Sequence, residues 1–161
     1  METLDFNDFM KSFPVDLALS GYSTNTFAEW TMTDNLGITY GAVIENAIGG
    51  GGKDTIAGNS VANIPFGGSG AGAKDILTGN GGTNIFSVSV SDYTRIVAFA
   101  VVVSDFTSET NFIGFEDHVF SDLSISNSSG DTKFFDIFGN KLLFVLSGVD
   151  YTLIDSSVFF Y

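Results

Sequence analysis

The sequence lacks cysteine and is poor in histidine and in basic residues. With no cysteine and only one histidine among 161 residues, it can form neither a disulfide framework nor the usual zinc sites. Six Lys and Arg residues stand against 19 Asp and Glu residues, which gives a net charge of −13. Because nucleic-acid binding depends on neutralising phosphates, this charge argues against a nucleic acid as partner.

Long apolar runs are also missing. The longest, at residues 96–103, has eight residues, which is too short to cross a bilayer, so no transmembrane segment is predicted. The first residues, METLDFNDFMKSF, carry acids before the first base and have no long apolar stretch, so no N-terminal signal peptide is predicted. A length of 161 residues indicates one domain, residues 1–161.

Glycine is concentrated in one part of the chain. Twelve of the 19 glycines lie between residues 49 and 82, and cutting the chain at the glycines gives GGGGKDTIA, GNSVANIPF, GGSGAGAKDILT and GNGGTNIFS. The period is nine residues, once with three extra. It fits the template G-G-x-G-x-D-x-U-x of the calcium-binding parallel β-roll, in which a glycine turn precedes a short strand that buries one apolar side chain.

The repeats and the composition predict an all-β fold. We expect N-terminal strands over residues 1–48, a short parallel β-roll of nonapeptide repeats over residues 49–87, and a C-terminal antiparallel sheet as a cap over residues 88–161. The last zone is rich in aromatic and β-branched residues, which favour strands. Four strands are predicted there, in IVAFAVVVSDF, SDLSISN, TKFFDIFG and KLLFVLSG, with a hairpin centred on Gly139 and Asn140.

Two repeats make one coil of a roll, so consecutive loops should lie on opposite flanks. One flank then carries Asp54 and Asp75, and the other carries Asn63 and Asn84. Because calcium requires negatively charged ligands, the sequence predicts that one calcium-binding flank is kept and the other is lost. Lys53 directly precedes Asp54, and Lys74 directly precedes Asp75, so an ammonium group in place of calcium is the alternative.

The apolar residue of each repeat is expected to shift in register. Ile56 lies two residues after Asp54, as the template requires, whereas Ile76 directly follows Asp75. Ile64 and Ile85 likewise directly follow an asparagine. The spacing therefore predicts a drift of one residue after the first repeat.

Several single residues allow two interpretations. Four phenylalanines are predicted to form the core of the cap, with an exposed aromatic face as the alternative: Phe134, Phe135, Phe138 and Phe144. Trp30 is compatible with a place in the core or on the surface. His118 lies between acidic and apolar residues in FEDHVF, and a surface loop is expected because no serine or cysteine nucleophile motif accompanies it.

The repeats and their surroundings resemble the C-terminal RTX β-roll domain of serralysin-type metalloproteases. The resemblance rests on IENAIGGGGKDTIAGN at residues 44–59, ETLDFNDF at 2–9, LGITYGAV at 36–43, SDFTSETNFIGF at 104–115 and FGNKLLFVLSGVDYTLIDSSVFFY at the end. It implies a calcium ligand set of the Glu45 side chain, the carbonyl groups of Gly50 and Gly52, and Asp54. In the third repeat it implies Gly68, Gly70 and Asp75.

The resemblance also bears on function. The protease half of such proteins carries H-E-x-x-H-x-x-G-x-x-H, and one histidine cannot supply it, so no enzyme is predicted. The end, SSVFFY, resembles the family's secretion signal, which implies a type I ABC exporter and an extracellular location. We expect a secreted calcium-binding structural protein that self-assembles, as a homo-oligomer or a filament, surface-layer or matrix subunit. A detached secretion or folding module of a serralysin-like metalloprotease and a carbohydrate-binding module are the alternatives.

Overall fold

The computed structural model describes residues 1–6, 14–18, 22–27, 30–39, 41–68, 74–88, 100–107, 109–115, 119–138 and 141–160, and for residues 22–36 it describes the backbone alone. The predictions for His118, for the side chain of Trp30 and for the hairpin at Gly139 and Asn140 lie outside this description. So does Gly70, one of the predicted calcium ligands.

The described residues form fifteen strands and three short 3-10 helices. In chain order the strands are β1 (Thr3–Asp5), β2 (Pro14–Asp16), β3 (Tyr22–Phe27), β4 (Trp30–Gly37), β5 (Asn46–Ile48), β6 (Thr55–Ala57), β7 (Ile64–Phe66), β8 (Ile76–Thr78), β9 (Ile85–Val88), β10 (Val101–Val103), β11 (Phe112–Phe115), β12 (Leu123–Ser128), β13 (Asp131–Asp136), β14 (Lys141–Leu146) and β15 (Phe159–Phe160). The 3-10 helices span Phe120–Asp122, Tyr151–Leu153 and Ser156–Val158. Among the described residues, no helix is long and apolar enough to cross a membrane.

Two sheets make up the roll. Sheet 1 has the order β1-β5-β7-β9-β11-β15, and all its neighbouring strands are parallel. Sheet 2 has the order β12-β13-β14-β10-β8-β6-β2, and β3 and β4 form a separate antiparallel pair. From β5 to β11 the chain alternates between the two sheets, so each coil adds one strand to each. The predicted all-β fold with a parallel β-roll is confirmed.

The roll is longer than the glycine repeats. β10 lies between β8 and β14 in parallel register, with Val103 beside Leu77 and Val101 beside Phe144. β11 and β15 likewise continue sheet 1 in parallel. Within the described part of sheet 2, antiparallel pairing is confined to β12 with β13 and β13 with β14, at the edge of the sheet. A separate C-terminal antiparallel cap is therefore not confirmed, although strands occur in all four segments where they were predicted.

The core of the roll follows one register. The residue two positions after each loop Asp or Asn is buried in all four repeats: Ile56, Pro65, Leu77 and Phe86. Ile64, Ile76 and Ile85 are only partly buried, so the predicted drift of the apolar position is wrong. Side chains alternate between the two faces of a strand, so the first residue of each three-residue strand points away from the core.

Aromatic side chains fill the C-terminal part of the core. Phe134 and Phe144 are fully buried and stack with ring centroids 4.1 Å apart and planes inclined by 10°. Phe135 is only partly buried. Phe138 is 79% exposed, so its prediction as a core residue is wrong. It lies in the turn that follows β13. The last buried residue of that strand is Asp136, so the alternation that buries Phe134 ends before Phe138.

Candidate metal centre

The loops of the roll lie on two flanks that differ in chemistry. Loops that run from sheet 1 to sheet 2 carry Asp54 and Asp75, and we call this side the Asp flank. Loops that run from sheet 2 to sheet 1 carry Asn63, Asn84 and Asn111, and we call this side the Asn flank. The predicted alternation of repeats between flanks is confirmed. Asn111 follows the last glycine repeat, and its equivalence to Asn84 emerges from the pairing of Phe112 with Ile85.

The two carboxylates of the Asp flank are withdrawn from water. Asp54 is fully buried and Asp75 is 3% exposed. The backbone N–H of Gly50 donates to Oδ2 of Asp54 at 2.9 Å, and the backbone N–H of Asp54 donates to Oδ1 of Asp75 at 2.8 Å. These bonds fix the orientation of each carboxylate and link the loops of successive coils.

Glycine is required around these carboxylates because a larger residue would occupy the space of oxygen atoms. A Cβ on Gly49 would lie 2.7 Å from Oδ2 of Asp54, and a Cβ on Gly67 would lie 2.7 Å from the carboxyl carbon of Asp75. Gly68 has a φ of +96°, and a Cβ there would collide with the carbonyl oxygen of Gly50. Carboxylate and carbonyl oxygens therefore converge on the Asp flank, and these are the ligands that calcium prefers.

The structure brings together part of the predicted ligand set. Gly50 and Gly52 lie in the loop of Asp54, and Gly68 packs against the backbone of Gly50 from the loop of Asp75. Among the described residues, no group of three or more Asp, Glu, His or Cys side chains is arranged to hold a metal ion. Backbone carbonyl groups would therefore have to complete any calcium site.

Glu45 lies apart from this group. It precedes β5, whereas Asp54 follows β5, so the two residues lie at opposite ends of that strand. The backbone N–H of Glu2 donates to Oε2 of Glu45 at 2.6 Å and lowers the pKa of this carboxyl group below its ordinary value. The topology therefore places Glu45 on the Asn flank, in line with Asn63.

The lysines that precede the two aspartates are exposed. Lys53 and Lys74 lie on the surface, while Asp54 and Asp75 lie in the interior. Neutralisation of the carboxylates by these ammonium groups stays a prediction.

On the Asn flank, amides occupy the positions of the carboxylates. Asn63 is 1% exposed and Asn84 is fully buried. The backbone N–H of Asn63 donates to Oδ1 of Asn84 at 2.9 Å, and that of Asn84 donates to Oδ1 of Asn111 at 3.1 Å. The amides thus reproduce the bond between Asp54 and Asp75 without a negative charge.

Comparison with known protein families identifies the chain. The family model described as Peptidase M10 serralysin C terminal matches residues 1–143. The chain belongs to the serralysin C-terminal family. This family comprises the non-catalytic C-terminal region of these proteases, not the protease domain. No curated protein matches the sequence.

Serralysin C-terminal domains typically bind calcium, and the two flanks of this roll differ as calcium sites. The oxygen chemistry of the Asp flank fits calcium, because buried carboxylates and loop carbonyl oxygens lie close to the same glycines. The Asn flank does not fit, because the side-chain amide groups of Asn63 and Asn84 carry no charge and donate to the carbonyl oxygens of Glu45 and Gly81.

Proposed function

We propose that this serralysin C-terminal domain is a non-catalytic, secreted structural module that binds calcium on its Asp flank and assembles with copies of itself. Its family is that of the non-catalytic region, and its single histidine cannot supply the zinc ligands of the protease motif. The proposal has two parts, calcium binding and self-assembly.

Calcium binding is supported by the oxygen atoms that two neighbouring loops bring together. Asp54 and Asp75 are joined through the backbone of Asp54 and are almost completely shielded from water. Carboxylate and backbone carbonyl oxygens are the ligands that calcium prefers, and both occur beside the glycines of these loops. A calcium ion held by these carboxylates and by loop carbonyl groups would link the two loops and add its binding free energy to folding.

Self-assembly is supported above all by the edge of sheet 2. β12, with the sequence LSISNS, is the last strand of this sheet and pairs only with β13 among the described residues. Proteins usually protect such an edge with charges, proline or a bulge, and β12 has neither charge nor proline. An uncharged edge also suits contact between two copies of a chain whose net charge is −13.

Exposed apolar side chains accompany this edge in the C-terminal part of the chain. Six of the nine large apolar side chains that are exposed in the described residues lie after residue 118: Val119, Ile137, Phe138, Tyr151, Leu153 and Phe160. The 3-10 helix Tyr151–Leu153 lies next to β12. A second copy that paired with β12 could also cover these neighbouring apolar side chains.

Sedimentation velocity and negative-stain microscopy of the purified protein in calcium test the assembly. We expect concentration-dependent oligomers, which Ser126→Lys on exposed β12 should abolish without loss of folding. Thr83→Lys, on an exposed loop of the Asn flank, is the matched control because it changes the net charge equally. Strictly monomeric wild-type protein at high concentration would contradict the proposal, as would equal effects of both variants.

A second candidate function is supported by the family match itself. A module from the C-terminal region of a secreted protease could direct export through a type I ABC exporter and fold on meeting external calcium. A reporter fused ahead of residues 1–161 should reach the medium only from cells that contain such an exporter. Retention of the fusion in those cells would contradict this function and leave the assembly proposal untouched.

A further inference from the structure

On the Asn flank, side-chain N–H groups point at the backbone carbonyl oxygens of the loops. Nδ2 of Asn59 donates to the carbonyl oxygen of Ile44 at 2.7 Å, and Nδ2 of Asn80 donates to that of Gly58 at 2.7 Å. Nδ2 of Asn63 donates to the carbonyl oxygen of Glu45 at 2.8 Å. These carbonyl groups are satisfied by hydrogen bonds within the chain and need no cation.

The side-chain oxygens of Asn59 and Asn63 accept backbone N–H groups as well. Oδ1 of Asn63 accepts from the backbone N–H of Asn59 at 2.9 Å, which matches the bond from Gly50 to Asp54 on the opposite flank. Oδ1 of Asn59 accepts from the backbone N–H of Val61 at 3.0 Å. An asparagine side chain therefore binds both backbone N–H groups and backbone carbonyl groups. An ionised aspartate only accepts hydrogen bonds, so the carbonyl groups must find other partners.

The next loop of this flank carries a carboxylate whose two oxygens both accept backbone N–H groups. Oδ1 of Asp105 accepts from Gly79 at 2.8 Å, and Oδ2 accepts from Asn80 at 2.7 Å. Asp105 lies in the loop between β10 and β11, which is one coil beyond the last repeat loop of this flank, and its carboxylate binds that repeat loop. Charge-assisted bonds of this kind are among the stronger hydrogen bonds in proteins.

We infer that the amide network of Asn59, Asn63, Asn80 and Asn84 replaces calcium on the Asn flank, so that this half of the roll stays ordered without metal. The side chains of Asn59, Asn63 and Asn84 each supply both the acceptor that a carboxylate would offer and the positive partner that a calcium ion would offer, and Asn80 supplies a donor. The response of the domain to calcium is then confined to the Asp flank. Calcium would order one row of loops against a second row that is already formed.

Hydrogen exchange measured by NMR on the wild-type protein, with calcium and with EDTA, tests this inference directly. The backbone N–H groups of Asn63 and Asn84 report the Asn flank, and those of Gly50 and Asp54 report the Asp flank. We expect Gly50 and Asp54 to exchange about tenfold faster or more in EDTA, while Asn63 and Asn84 stay protected. Protection of all four groups in EDTA would also support a metal-independent Asn flank. Protection of Asn63 and Asn84 only in calcium would overturn the inference.

Asn84→Asp in EDTA tests the amide group itself. Nδ2 of Asn84 donates to the carbonyl oxygen of Gly81 and to Oδ1 of Asn111, so a carboxylate oxygen there would face two acceptors. We expect the backbone N–H of Asn63 to exchange about tenfold faster or more in this variant. Asn127→Asp, which adds the same charge at an exposed position, is the control. Unchanged protection of the Asn63 N–H group in Asn84→Asp would overturn the inference. If this variant does not fold, hydrogen exchange of the wild type with calcium and with EDTA decides.

Discussion

The backbone N–H of Asp54 donates a hydrogen bond of 2.8 Å to Oδ1 of Asp75, one coil further along the roll. The corresponding bond on the other flank joins Asn63 to Asn84 at 2.9 Å. Both bonds need an oxygen acceptor, but only the first brings a negative charge. The two flanks therefore share a backbone arrangement and differ in the chemistry that their loops offer to a cation.

Asp75→Asn keeps an oxygen that can accept the hydrogen bond from Asp54 but removes the negative charge of the carboxylate. The amide oxygen can still accept from Asp54, so we expect the variant to fold in EDTA, while calcium should raise its melting temperature much less than that of the wild type. Calcium at about 100 times its Kd stabilises a protein by about 2.7 kcal/mol, and most of this gain should disappear. Calorimetry with calcium and with EDTA measures the difference. Asp150→Asn makes the same change at an exposed helix cap, and a wild-type calcium response in Asp75→Asn would refute the assignment.

Gly67→Ala introduces a methyl group into the space of the Asp75 carboxylate. The new Cβ would lie 2.7 Å from the carboxyl carbon, so the carboxylate must move, at a cost of about 1–3 kcal/mol. We expect the variant to lose both stability and calcium affinity in titration calorimetry. Gly130→Ala is the control, because its φ of +85° imposes backbone strain while nothing lies within 4 Å of the new Cβ. If both variants bind calcium like the wild type, Asp75 is not a ligand.

The glycine period was sufficient to predict the roll and the separation of Asp54 from Asn63. It could not reveal Asn111 or Asp105 as members of the Asn flank, because both follow the repeats and align with them only through the parallel pairing of β10 and β11. The choice of an isoleucine as the buried residue of every repeat was also wrong in three repeats. The buried residue there is a proline, a leucine or a phenylalanine. In all four repeats it lies two residues after the loop Asp or Asn, so this spacing is constant along the roll and the spacing between isoleucines is not.

The stacked pair of Phe134 and Phe144 should carry much of the stability of the C-terminal coils. Phe134→Ala removes a fully buried ring and should lower the free energy of unfolding by about 3–5 kcal/mol. Phe138→Ala, at a residue that is 79% exposed, should change it by less than about 0.5 kcal/mol. Urea unfolding followed by circular dichroism measures both. Equal losses in the two variants would show that this part of the core is wrongly assigned.

The hydrogen bond from Glu2 to Glu45 should make stability depend on acid pH. The backbone N–H of Glu2 lowers the pKa of Glu45 below its ordinary value of 4.5, so folding favours the ionised carboxylate. This stabilisation is fully present above pH 4.5 and is lost as the pH falls through the lowered pKa in the folded state. The difference in stability between the wild type and Glu45→Gln should therefore be constant near neutral pH and shrink in acid.

NMR titration of the Glu45 side chain tests the cause of the shift. Glu2→Pro removes the N–H donor and should raise the pKa of Glu45 toward 4.5. Glu2→Gln keeps that N–H and should leave the titration of Glu45 nearly unchanged, because the donor belongs to the backbone. An equal upward shift in both variants would assign the effect to the side chain of Glu2 instead. An unchanged titration in Glu2→Pro would exclude the hydrogen bond as the cause.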